Sequence, residues 1–205
     1  MDDRRSVRVA ARGCFAIILA GAAVVTPPTT LTAAQALRTS VTVRVYQTAD
    51  LPLPLEQRAL AEAATVLRGA LVDVRWRRCG AWSSTTACTD PPESPELILR
   101  IAPEGASRRH RPLTLGEALV TGCTGGVLAS VYADRVATLA DEAETDVAVL
   151  LGRVAAHELA HLMMHTSVHH ARSGLMRPKW TRQEVRRNLA ADWAFTAEDV
   201  AAIRR

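Results

Sequence analysis

The stretch that most restricts how this chain can fold runs from Thr145 to Met164, "TDVAVLLGRVAAHELAHLMM". It reads as one helix. Beyond Asp146 its only formally charged residues are Arg153 and Glu158, and alanine, leucine, valine and methionine occupy nearly every side. A helix apolar all round belongs in the middle of a protein, with other elements on each flank. At 100° per residue, Leu150, Val154, His157 and His161 fall within about 60° of one another, so the two histidines continue a stripe that points into the molecule or onto a cleft floor.

The rest of the chain must supply the layers that cover this helix. "SVTVRVYQ" (Ser40–Gln47) alternates Val41, Val43 and Val45 inward against Thr42, Arg44 and Tyr46, which is a strand period. A helix follows from Leu53, with Pro54 in its first turn, apolar residues at Leu55, Leu60, Ala63 and Leu67, and Gly69 near its end. "VDVRWR" (Val72–Arg77) and "ELILRIA" (Glu96–Ala102) are further strands, giving β-α-β-loop-β. The basic, Pro-bounded segment Pro103–Pro112 reads as a solvated loop, and His110 within it as exposed and not a ligand. "LTLGEALV" and "GGVLASVYADRV" predict two short strands on either side of the turn Thr121–Gly126, with Asp134 and Arg135 as a surface pair at the end of the second. "TAEDVAAIRR" closes the chain as a helix with Thr196 as N-cap.

With 205 residues, 48% of them apolar, the chain can bury one ordinary core, which predicts a single domain over residues 37–205. The formal charge is +4, but Lys179 is the only lysine and the arginines are scattered, so no nucleic-acid stripe is expected. No serine-centred nucleophile motif and no phosphate loop occur. The four tryptophans, Trp76, Trp82, Trp180 and Trp193, are too dispersed for a stacking platform and read mainly as core filler.

Residues 1–36 have the make-up of a signal peptide: Arg4, Arg5, Arg8 and Arg12, then the apolar run Cys14–Val25, then the small residues of "AQA" (Ala34–Ala36). A dozen apolar residues fall short of the roughly 20 needed to span a bilayer, so removal is expected over stable membrane insertion. The mature chain would then be periplasmic or extracellular and keep Cys79, Cys88 and Cys123. In an oxidising compartment Cys79 and Cys88, which bracket a short polar loop, are the expected disulfide, with Cys123 the competitor for either.

Five of the six histidines lie between Val154 and Trp180, and His157-Glu158-Leu159-Ala160-His161 is an H-E-x-x-H motif. One helical turn lets two imidazoles converge on one metal ion, while the intervening carboxylate lies beside them, positioned for a water that the ion activates. Zinc acidifies such a water, and Glu158 as general base and acid can take its proton and return it to a leaving amine. The chemistry implied is hydrolysis of a peptide or similar amide.

"HELAH", followed by a histidine and then "GLM" (Gly174–Met176), resembles the zincin metallopeptidases. It is most similar to the metzincin branch and to small bacterial exported zincins, in whose pattern Trp180 is matched too. The resemblance implies a zincin-like α+β fold, with a mixed sheet packed on a backing helix and a central H-E-x-x-H helix, then a methionine turn at Met176 and a short C-terminal helical part. It implies a peptide or protein substrate held as an added strand along an edge strand near Leu115–Val120. The chain departs from the family where the metzincin pattern would put glycine at Met164 and histidine at Ser167. It departs again at His165, where the small exported zincins end the helix on glycine.

Three histidines compete for the third zinc ligand. His165 continues the helical stripe, but its Cα would lie about 12 Å along the axis from that of His157. A tetrahedral site needs its third protein ligand from another side, so the chain must leave the helix, for which Thr166 and Ser167 are reasonable exits. His169 is the expected ligand beside His157 and His161, with His170 and His165 as alternatives. Two other readings stay open: an exported zincin-like protein that binds metal without catalysis, and an exported interaction domain whose histidines are incidental.

Overall fold

The computed structural model describes residues 38–80, 88–92, 96–103, 114–121 and 126–205. The export segment expected at 1–36, His110 and Cys123 lie outside them.

Five strands form one sheet: β1 (Thr39–Gln47), β2 (Val72–Cys79), β3 (Glu96–Ala102), β4 (Gly116–Leu119) and β5 (Leu128–Tyr132), in the order β2-β1-β3-β5-β4. All neighbours are parallel except β4, which runs antiparallel along the outside of β5. Parallel neighbours need a crossover, and α1 (Leu53–Gly69) supplies it between β1 and β2. The valine alternation of β1 sets the inner face. Val45 is in register with Leu99 and Leu99 with Ala129, and all three are buried beneath the helices.

Helix α3 (Val147–Met163) is the central helix, and every residue from Leu150 to Leu162 is buried. It packs against α1, α2 (Ala133–Glu142), β5 and β4. Burying Arg153 in such a helix requires partners for its charge. Its Nε donates to Glu62 Oε1 at 3.0 Å, a terminal nitrogen donates to Asn188 Oδ1 at 2.6 Å, and the guanidinium lies 4.3 Å over the Trp193 ring. The fold is thus α+β, a mixed sheet packed on a backing helix and on the central H-E-x-x-H helix.

The start of α3 is capped by Asp146, which accepts from Ala148 N at 2.7 Å and from Val149 N at 3.3 Å. Its carboxyl is held below the usual range, first by the hydrogen bond from Arg58 and then by these amides. Asp146→Ala is expected to lower stability by about 1 kcal/mol, measured as a shift of the denaturation midpoint. Because the folded-state pKa is depressed, that contribution is complete at neutral pH and fades as the pH falls below about 4.

Two local expectations are corrected, and the tail holds elements that the sequence did not predict. The strand expected through Val136 ends at Tyr132, and α2 begins at once. Ala133, Val136 and Ala140 are its buried residues, a helical spacing hidden behind the preceding strand pattern. Asp134 therefore sits in a helical first turn, and Arg135 lies over the Tyr132 ring and donates to Thr114 O at 2.7 Å. Arg44, expected on an exposed strand face, is buried on the side away from the helices, where its Nε donates to Glu96 Oε2 at 2.9 Å. Before α5 (Ala197–Ile203), the tail also contains α4 (Arg182–Arg187) and a short 3-10 turn at Ala190–Trp193.

Cys79 and Cys88 are joined in a disulfide with a Cα–Cα distance of 5.5 Å, the pairing expected from the short loop. Among the described residues no helix is long and apolar enough to cross a membrane.

Candidate metal centre

His157 and His161 lie one turn apart on α3 and are both buried. Each ring has its Nδ1 occupied by a backbone carbonyl: His157 Nδ1 donates to Leu175 O at 2.9 Å, and His161 Nδ1 to Thr166 O at 3.0 Å. A carbonyl can only accept, so both Nδ1 atoms carry protons and, in neutral rings, both Nε2 atoms carry bare lone pairs. Those two Nε2 atoms face each other at 3.1 Å.

The two carbonyls come from turns that follow the helix. His165 adopts a left-handed conformation with φ 53°, so the exit expected from glycine is made here by a histidine. That reversal brings Thr166 N onto His161 O at 3.1 Å and the Thr166 carbonyl back over the His161 ring. Further on, Gly174 has φ 77°, and an added Cβ there would lie 2.5 Å from Ala194 O, so the turn needs glycine on both counts. It presents the Leu175 carbonyl to His157 and buries Met176 completely, while Met176 O accepts from Ala171 N at 2.9 Å.

The third histidine beside the pair is His170. The ligand nitrogens of His157, His161 and His170 lie within 4.8 Å of one another, a group that could hold a metal ion. The His170 ring centroid is 5.8 Å from that of His157 and 5.0 Å from that of His161. His169, expected in this place, is held elsewhere: its Nε2 donates to Asp199 Oδ1 at 2.8 Å. The two residues are adjacent in a non-helical segment, and it is the His170 ring whose nitrogen joins the pair. His165 is exposed and lies outside the cluster.

Burial governs the charge state of these groups. It lowers the His157 pKa to about 3 and the His161 pKa to about 4, each helped by a neighbouring imidazole, so both rings are neutral at physiological pH. The exposed His170 is lowered too, by desolvation first and then by His169. Burial also raises Glu158 to about 8, with Glu117 adding to it, and a cation beside the carboxylate would pull it back down.

Several residues shape the site whose contacts there the sequence did not show. Gly116 on β4 touches Glu158 so closely that an added Cβ would lie 2.7 Å from Glu158 Cγ, 2.9 Å from its Oε1 and 2.8 Å from Ser130 O. A lone glycine in a strand is the one signal that could have pointed to this approach. Trp180 stands edge-on to His157 at 5.6 Å and packs on Trp193 at 5.0 Å, so two tryptophans that looked dispersed meet beside the cluster. Asp199 is invisible as a site residue in the sequence, where it reads only as the third residue of a capped helix.

Fold and site together define an α+β protein with a three-histidine cluster able to hold a metal ion and a buried glutamate between two of its histidines. Compared with known proteins, no family model and no curated protein matches the chain. Among solved structures it is similar to a crystal structure of archaemetzincin from Methanopyrus kandleri, at 20% identity over 82% of this chain and 94% of that chain, with a TM-score of 0.47.

Proposed function

We propose that this chain is a zinc-dependent metallopeptidase that acts after export, with His157, His161 and His170 as metal ligands and Glu158 as general base and acid. The observation that carries the reading is the pair of facing Nε2 atoms at 3.1 Å, with both Nδ1 protons committed to carbonyls. Two bare lone pairs at that distance repel unless a cation lies between them. Two imidazoles on one tetrahedral zinc, at 2.0–2.1 Å each, would stand roughly 3.3 Å apart. Three neutral nitrogens with one position left open also fit a catalytic zinc better than a closed structural one.

Zinc bound there would polarise a substrate carbonyl and acidify a water. Glu158 is buried on the same helix, outside the three-nitrogen group, so its carboxylate is free to take a proton from the attacking water and pass it to the leaving amine. Among the described residues β4 is the edge strand, and pairing along it would give a peptide backbone a place at the point where Gly116 meets Glu158. The Cys79–Cys88 disulfide supports an oxidising, exported setting.

Metal analysis of the purified protein is expected to give one zinc per chain. A chelator should remove peptide cleavage together with the metal, and added zinc should restore it. Unchanged cleavage by metal-free protein would refute the reading. Gly116→Ala tests how closely the edge strand must approach. The methyl cannot displace the Ser130 backbone, so the Glu158 carboxylate or β4 must shift. A misplacement of about 1 Å is expected to lower kcat/KM about 100-fold while zinc stoichiometry stays at that of the wild type; wild-type turnover would mean that strand and glutamate need not meet so closely.

A further inference from the structure

We propose that His169 and Asp199 form a positioning pair that presents His170 to the metal, so that the bond from His169 to one carboxylate oxygen of α5, the last described helix, sets how tightly the site holds its ion. The inference rests on the metallopeptidase reading above. Asp199 is fully buried, and its two oxygens serve two tasks. Oδ2 accepts from the Thr196 N–H and hydroxyl, both at 2.8 Å, which closes the capping box of α5. Oδ1 accepts from His169 Nε2 at 2.8 Å. A carboxylate in these contacts only accepts, so the His169 proton sits on Nε2 and the bond has one direction.

What makes this bond matter is how little else holds the segment. The chain leaves α3 through the left-handed His165 and regains a backbone tie at Ala171, whose N–H reaches Met176 O at 2.9 Å. In between, Val168 is 83% exposed and its N–H makes only a local bond to Thr166 Oγ1. Among the hydrogen bonds of the described residues, His169 to Asp199 is the tie that joins residues 167–170 to another element. His170 is the next residue, and it is the one member of the cluster that is exposed and carried on a coil, whereas His157 and His161 are fixed by α3. A ligand on a loose segment must be ordered when the ion binds, and an anchor one residue away removes most of that cost in advance.

The test measures the zinc dissociation constant by chelator competition, and Tm in parallel, on the purified chain and four variants. His169→Ala removes the tie and leaves the capping box intact; it is expected to raise Kd about 10–100-fold. His169→Gln keeps an N–H donor near the position of Nε2 and is expected to recover most of that loss. Thr196→Ala removes the hydroxyl bond to Oδ2 and weakens the α5 cap, while the Thr196 N–H still holds that oxygen and Oδ1 keeps the tie; it should lower Tm by about 2–4 °C with Kd unchanged. His170→Ala marks the loss of a direct ligand. If the wild-type chain takes up no zinc, the metallopeptidase reading fails first. If wild type binds zinc and His169→Ala binds it equally well, the positioning pair alone is overturned. Zinc loss in both His169 variants as complete as in His170→Ala would make His169 itself a ligand, and an equal loosening in Thr196→Ala would trace the effect to helix stability; either result overturns the proposal.

Discussion

Replacing Glu158 with alanine is expected to lower peptide hydrolysis by about 10²–10⁴-fold, the usual worth of a positioned general base, while zinc stays bound at one per chain. The carboxyl lies outside the group of three nitrogens, so its loss removes no ligand. Folding should survive as well. Glu158 is buried where desolvation disfavours its charge, with Glu117 adding to the penalty, so the substitution relieves an unfavourable burial as it opens space beside Gly116. The expected pattern is therefore a fall in kcat with Tm at or above that of the wild type. Three measurements decide it: steady-state turnover on a peptide, zinc stoichiometry and thermal denaturation. Turnover near the wild-type rate would remove Glu158 from the mechanism, and loss of zinc would make it a ligand.

His170→Ala is expected to abolish tight zinc binding, by more than the roughly 10–100-fold that an outer-shell partner costs. Two imidazoles on one helix supply only two directions, and a stable tetrahedral site needs a third protein ligand from outside that helix. The chain brings His170 there by leaving α3 at His165 and running back past the ends of both rings. Apo-protein stability should hardly change, because the His170 side chain is exposed. His165→Asn is the matched control, since asparagine tolerates the left-handed conformation that His165 adopts. Its zinc affinity should equal that of the wild type. Tight zinc in His170→Ala, or its loss in His165→Asn, would show that the third ligand has been misassigned.

These two expectations differ in how much of each was legible beforehand. The pairing of His157 with His161, and the place of Glu158 between them, follow from four-residue spacing on a helix, and that geometry is local. So was the central position of the helix, because an apolar surface on every side leaves no face for water. The valine alternation of β1, the bounds of β3, the cap at Thr196 and the Cys79–Cys88 pairing belong to the same kind. Each depends on residues a few positions apart, where backbone geometry leaves few choices.

What the tertiary structure alone decided lies between residues distant in the chain. His169 and His170 are chemically identical neighbours, and nothing near them says which one joins the histidine pair; Asp199, 30 positions later, bonds the other. Gly116 carries no side chain with which to advertise a role, and its closeness to Glu158 appears only when β4 pairs with β5 beside α3. The short helix α2 stayed hidden because its apolar residues continue directly from a strand, and packing against α3 decides where the period changes. Arg44 gives the converse case: its strand pattern points outward, but Glu96 on the neighbouring strand accepts its guanidinium and allows the charge to be buried. Spacing along the chain thus determined which groups could share a helix face. Which groups share a site was set by packing between segments, because hydrogen bonds and steric contacts act over a few ångströms, whatever the number of residues between the partners.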